Sequence, residues 1–163
     1  MTNETWSELP RVQQAATILG LSGLLPFWAL PTAHLFGADL IDPVAQIIAL
    51  YGAVICSFMG GARWGLAMRT PERGAFAGLL GSVMPPLLAW ALVGSSVVGA
   101  GVLQDPLKQL VLIAALLGFQ LIEDWRSAGK QLLSTWYLKL RMVLVAGATT
   151  PIFLALIVSS FMR

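Results

Sequence analysis

The stretch SFMGGARWGLAMR, residues 57–69, is apolar almost to its end, yet it holds a guanidinium at Arg63, well before the next one at Arg69. Extended upstream through YGAVIC, it is long enough to cross a bilayer, since about 20 apolar residues at about 1.5 Å each cover about 30 Å of hydrocarbon. This run decides the fold: the chain enters lipid, and Arg63 must be accommodated near the edge of the hydrocarbon. An arginine that far off centre can snorkel along its own stem toward the headgroups. It can also meet a carboxylate at its own depth.

Composition extends the reading to the whole chain. Of 163 residues, 57% are hydrophobic and 11% charged, against roughly 25% charged in soluble domains; mean hydropathy is +0.78. The apolar character is spread along the length, which leaves no room for a separate soluble domain of about 50 residues or more. Residues 1–163 therefore read as a single membrane domain. Spans are expected at 15–36, 44–68, 74–98, 106–125 and 136–161, giving an all-α membrane protein, a compact bundle of five transmembrane helices. The connections GADLIDP, RTPER, GAGVLQDP and RSAGKQLLST are short, with Asp or Thr ahead of Pro or an apolar run, as helix starts require. No period-two alternation is sustained, so strands are not expected.

The basic residues set an orientation. With alternating helices, Arg11, Arg69, Arg73, Arg126, Lys130, Lys139 and Arg141 fall on one side, Arg63 lies close to it, and Lys108 and Arg163 fall on the other. Positive residues mark the cytoplasmic face, which predicts a cytoplasmic amino terminus and a periplasmic carboxy terminus. Trp6, Trp64, Trp125 and Trp136 gather near the inner boundary, and Trp28 and Trp90 lie toward the outer one, as an interfacial aromatic belt predicts. The opening MTNETWSELPR is mildly acidic. It matches neither a cleaved secretory signal nor an Arg-rich mitochondrial transit peptide, which predicts an uncleaved bacterial inner-membrane protein.

Small residues four apart, among them Gly52, Cys56 and Gly60, Gly61 and Gly65, and Gly74, Gly78 and Ser82, predict close helix packing, within one chain or at a dimer seam. Pro26, Pro85, Pro86 and Pro151 fall near the middle of their spans. Each frees a carbonyl that lipid cannot satisfy, so those carbonyls must face protein.

The charged segments QLIEDWR, residues 120–126, and TWYLKLR, residues 135–141, reach about the depth of Arg63. Tyr137 and Arg141 share a face. A cluster of Arg63, Asp124, Tyr137 and Arg141, with Glu123, Trp64 and Trp136 as additional candidates, predicts a clasp between helix ends or a cradle for an anionic headgroup. Catalysis has little to work with. The carboxylates lie at or beyond the expected span ends, His34 has no partner at metal-ligand spacing, and Ser22, Ser57, Ser82 and Thr149 have no base in view. The lone Cys56 permits no internal disulfide, no Gly-rich phosphate loop follows a strand, and the few cations argue against nucleic acid. No catalytic residue, metal or cofactor is expected.

In YGAVICSFMGGARWGLAM, MPPLLAW, the acidic end of the fourth span and WYLKLRMVL the chain resembles the domain of unknown function 3429 family of small multi-pass membrane proteins, also called transmembrane protein 69-like. The resemblance implies a protein of bacterial or mitochondrial inner membranes and brings no established activity. It falls on Gly60, Gly61, Arg63, Trp64 and Gly65, on Pro85 and Pro86, on Asp124, and on Trp136, Tyr137, Leu140 and Arg141. The family pattern accepts His at the position of Arg63, and often has Pro at about Ser134 or Thr135. That leaves a polar or anion-contacting role open at Arg63 without requiring a permanent charge.

The expectation is thus a non-enzymatic accessory or assembly component that meets membrane lipid headgroups, a membrane-protein partner or a second copy through a charged cytoplasmic rim. The alternative is a small-solute transporter or channel component with proline-broken helices.

Overall fold

The structure, a computed structural model, describes residues 10–69, 72–99, 104–129 and 133–162, without the side chains of 38, 72–74, 97, 128, 129 and 162. Trp6, Lys130, Arg163 and the Arg73 side chain, used above to argue orientation, lie outside the described residues. The chain forms α1 (Arg11–Ser22), α2 (Leu25–Ala33), α3 (Ile41–Ala67), α4 (Glu72–Val97), α5 (Pro106–Gly129) and α6 (Thr135–Met162), with a 3-10 turn at Ala38–Leu40. There is no strand among the described residues. Among the described residues five segments are long and apolar enough to cross a membrane, α1 and α2 together making the first, Arg11–Ala33.

That first crossing is two helices where the sequence predicts one span, and the reason is local. Pro26 has no N–H to continue the α1 ladder, and the Phe27 N–H bonds Leu24 at 3.1 Å, one residue short of an α-helical partner. The Gly23 carbonyl is released by this shift, and the Tyr51 hydroxyl on α3 donates to it at 2.8 Å. The ring of Tyr51 also meets Phe27 edge to face, with centroids 5.3 Å apart. A break that would leave an orphan carbonyl in lipid is thereby satisfied from a neighbouring helix. The two halves then differ: α1 buries no residue, whereas α2 buries Phe27, Leu30 and Ala33.

The bundle is organised around α3, which packs against α4, α5 and α2, while α6 closes the other side against α5 and α2. Gly60 on α3 abuts the backbone carbonyl of Ser82 on α4, and a Cβ there would also come within 2.6 Å of Pro86 Cγ. Ser82 is the residue whose carbonyl Pro86 leaves without its helical donor. The missing side chain of Gly60 lets the two backbones meet at that defect. Pro85, its neighbour, is fully buried. Gly52 admits Ile113 of α5 in the same manner, and Gly147 admits Leu24. Gly61 and Gly65, expected at a helix seam, depart from that pattern: a Cβ on either meets nothing within 4 Å. They lie on other faces of α3 from Gly60, about 100° per residue away on a helix of 3.6 residues per turn.

The core is aliphatic, with Leu30, Ala45, Ala49, Leu110, Ile113, Ile152 and Ala155 at or near zero exposure. Large apolar side chains are equally abundant on the outside, including Val12, Phe58, Phe76, Trp90 and Phe161. An apolar exterior of this extent suits lipid and not water. The hydroxyls follow the same logic. Ser22, Ser57, Ser82 and Thr149 each donate to a carbonyl of their own helix, at 2.8, 3.0, 2.6 and 2.9 Å, leaving no free donor toward hydrocarbon.

Candidate functional site

Three helices bring charge together at one end of the bundle. Arg63 lies one turn before the end of α3, Asp124 lies within α5, and Arg141 lies in the second turn of α6. The α5 helix continues beyond the expected end of its span at residue 125 and runs to Gly129, so Asp124 sits inside a helix and not at its margin. On α6, the Ser134 hydroxyl accepts from the Tyr137 N–H at 3.3 Å and starts the helix early enough to bring Arg141 to the depth of Asp124.

The Asp124 carboxylate is divided between two guanidinium groups. Arg63 Nη1 donates to Oδ1 at 2.6 Å, and Arg141 Nε donates to Oδ2 at 2.7 Å. Exposure is 7%, 1% and 2% for Arg63, Asp124 and Arg141, which decides against snorkelling: the Arg63 side chain turns inward. Glu123 supplies a second carboxylate, 3.6 Å from Arg63 Nη2, and is itself held by Arg126 at 2.6 Å. Removing one partner of a buried pair costs about 3–5 kcal/mol because the remaining charge is stranded. The cluster therefore ties α3, α5 and α6 together wherever else it acts.

The donors are not all used. Arg63 Nε and Arg141 Nη2 are buried and have no hydrogen-bond partner among the described residues. Arg63 also lines a recess of about 310 Å³, together with Arg69, Asp124 and Tyr137 and with Ala62 and Gly65. Gly65, which packs against nothing, keeps that space free. Arg69 has no ionic partner among the described residues. Counted over the cluster, the cations Arg63, Arg69, Arg126 and Arg141 exceed the carboxylates Glu123 and Asp124. An excess of positive charge around an open recess suits an anion with several acceptor oxygens, such as a phosphate.

Of the remaining candidates, Trp136 is half-buried near Arg141, and Trp64 is 44% exposed on the outer surface of α3. Sequence reasoning passed over Gln120. It is fully buried one turn before Asp124, and its Nε2 donates to the Cys56 carbonyl at 3.0 Å. The available signal was the pairing of Gln120 with Asp124 at i,i+4, one helix face turned toward α3. It also passed over a contact at the opposite end of the bundle, where His34 Nε2 lies 2.9 Å from the Ser159 hydroxyl.

Comparison with known proteins gives the chain its relatives. Over 147 residues it is 29% identical to "Transmembrane protein 69" of Xenopus tropicalis, covering 89% of this chain and 54% of that protein. Over 80 residues it is 32% identical to "Transmembrane protein 69" of Mus musculus, covering 48% of this chain and 33% of that protein. The chain thus spans about half the length of the frog relative and about a third of the mouse one. No solved structure matches it. The model of the family described as "Protein of unknown function (DUF3429)" matches residues 12–157, nearly the whole bundle, and the chain belongs to that family.

Proposed function

We propose that this chain is a single-domain, multi-pass bacterial inner-membrane protein that binds an anionic headgroup at the Arg63–Asp124–Arg141 cluster, as an accessory or assembly component and not as an enzyme. One observation carries the reading: two buried arginines share one carboxylate, each with a buried N–H unpartnered among the described residues, and Arg63 with Arg69 lines an open recess. A clasp built only to hold helices together would spend its donors internally, because an unsatisfied buried donor costs about 1–3 kcal/mol. The described basic residues Arg11, Arg69, Arg126, Lys139 and Arg141 lie toward this end of the helices, and Lys108 lies toward the other. By the positive-inside tendency the cluster end faces the cytoplasm, with the amino terminus on the same side.

The transporter alternative has less support. A helix broken for transport directs its freed carbonyls into a water-filled site, whereas the Gly23 carbonyl at the break is occupied by Tyr51.

The test is lipid retention. Chain purified from bacterial membranes in mild detergent is expected to carry anionic phospholipid in excess over its membrane proportion, and Arg141→Gln and Arg63→Gln are expected to lose that excess. Equal lipid profiles in all three preparations, with each variant folded, would refute the reading.

A further inference from the structure

The polar recess does not stand alone. A second concavity of about 670 Å³ lies between α1, α2, α3 and α6, and it shares Ala62 and Tyr137 with the recess. Its lining is apolar except for Tyr51, whose hydroxyl is spent on Gly23, and for Tyr137 and Arg141 at the end that meets the recess. The concavity exists because α1 stays apart from the bundle after the Gly23 break, burying nothing of its own and packing chiefly against α6.

We propose that groove and recess form one site for a single anionic phospholipid, with its phosphate at Arg63, Arg69 and Arg141 and one acyl chain lying along the groove. This deepens the headgroup reading above and rests on it.

Length supports a lipid. Along α3 the groove runs from Ala62 to Tyr51, and along α6 from Tyr137 to Ala148. Each run is about 16 Å at about 1.5 Å per residue. One leaflet contributes about 15 Å, half of a hydrocarbon core of about 30 Å. The groove therefore begins among cations and ends near the midplane, which is how one acyl chain of an anionic lipid is laid out.

The concavity, about 670 Å³ and lined almost wholly by aliphatic and aromatic side chains, offers an extended run of methylenes apolar contact along its length. Arg141 adds the charge argument, because it lines the groove at the end where a phosphate would sit.

The experiment titrates the purified full chain, by native mass spectrometry, with dioleoyl phosphatidylglycerol, dioleoyl phosphatidylcholine, and the chain-free competitors glycerophosphoglycerol and inorganic phosphate. Ala16→Phe with Val54→Phe fills the groove from positions that line it and are exposed, leaving every arginine in place. Phosphatidylglycerol is expected to bind at least about tenfold more tightly than phosphatidylcholine, and the groove-filled variant to lose about tenfold in affinity. The chain-free competitors should displace it poorly. A measurement that needs no groove substitution accompanies this: phosphatidylglycerol with brominated acyl chains should quench Trp136 at the groove mouth, and Trp136→Phe should remove the quenched component.

If glycerophosphoglycerol competes as well as the intact lipid and groove filling changes nothing, the headgroup site survives and the acyl groove is refuted. If both lipids bind equally and groove filling weakens both, the anionic reading falls and this proposal falls with it. A lipid-free dimer that the groove-filled variant dissociates would make a second copy the occupant and overturn the proposal.

Discussion

The two ends of the bundle solve the same problem with different chemistry. At one end, α3, α5 and α6 are joined by buried ions, two guanidinium groups on one carboxylate. At the other, α2 and α6 are joined by the neutral-type contact of His34 with Ser159, and α3 meets α4 through Gln46 donating to Ser96 at 3.4 Å. In the neutral contact each donor finds an acceptor. In the ionic cluster two buried N–H groups do not. If holding helices together were the whole task, the neutral solution is the cheaper one, because a buried ion pair often adds little to stability over apolar packing. On the reading proposed above, the surplus at the charged end serves a headgroup and not cohesion.

The largest expected effect comes from removing the shared carboxylate. Asp124→Asn leaves Arg63 and Arg141 buried with one neutral acceptor between them, and should destabilise the fold by about 3–5 kcal/mol. Denaturant-driven unfolding in mixed micelles measures it. A loss below about 1 kcal/mol, the range of exposed pairs, would mean that water reaches the cluster, and the contrast between the ends would collapse.

How far the sequence foretells this contrast depends on which kind of signal carries it. The five apolar runs are legible because lipid demands length and hydropathy, and both are local properties. Arg63, Asp124 and Arg141 are legible as a set because charges at similar depth in a small bundle have few other partners. The break at Gly23 is only half legible: Pro26 announces a defect, but its repair by Tyr51 depends on a partner 28 positions away. Gln120 and the His34–Ser159 contact are less legible still, since polar residues near helix ends read as interfacial unless the packing partner is known. Gly61 and Gly65 show the opposite failure. Their four-residue spacing resembles a packing seam, yet rotation about α3 puts neither against a helix, and Gly65 contributes open space to the recess.

That rotation supplies the next prediction, of intermediate size. Gly60→Val pushes a side chain into the Ser82 carbonyl and Pro86, and should cost about 1–3 kcal/mol through forced separation of α3 and α4. Gly61→Ala, beside it in sequence but facing open space, should cost no more than about 0.5 kcal/mol, as surface changes do. Equal losses at the two positions would show that helix propensity and not the close approach governs this segment.

The smallest effect belongs to the neutral end. The His34 ring nitrogen Nδ1 lies 3.3 Å from the Leu30 carbonyl, which can only accept, and Nε2 lies 2.9 Å from the Ser159 hydroxyl, which can donate or accept. Hydrogen bonds between membrane helices average about 0.6 kcal/mol, with a maximum of about 1.7. A double-mutant cycle of His34→Phe and Ser159→Ala, read by unfolding in the same micelles, should return a coupling energy in that range. The lipid selectivity expected of the charged end should be unchanged in either single variant, because no guanidinium is touched. Coupling as large as the loss from Asp124→Asn would make the two ends energetically equivalent. Loss of anionic-lipid preference on changing Ser159 would show that headgroup recognition is not confined to the arginine cluster.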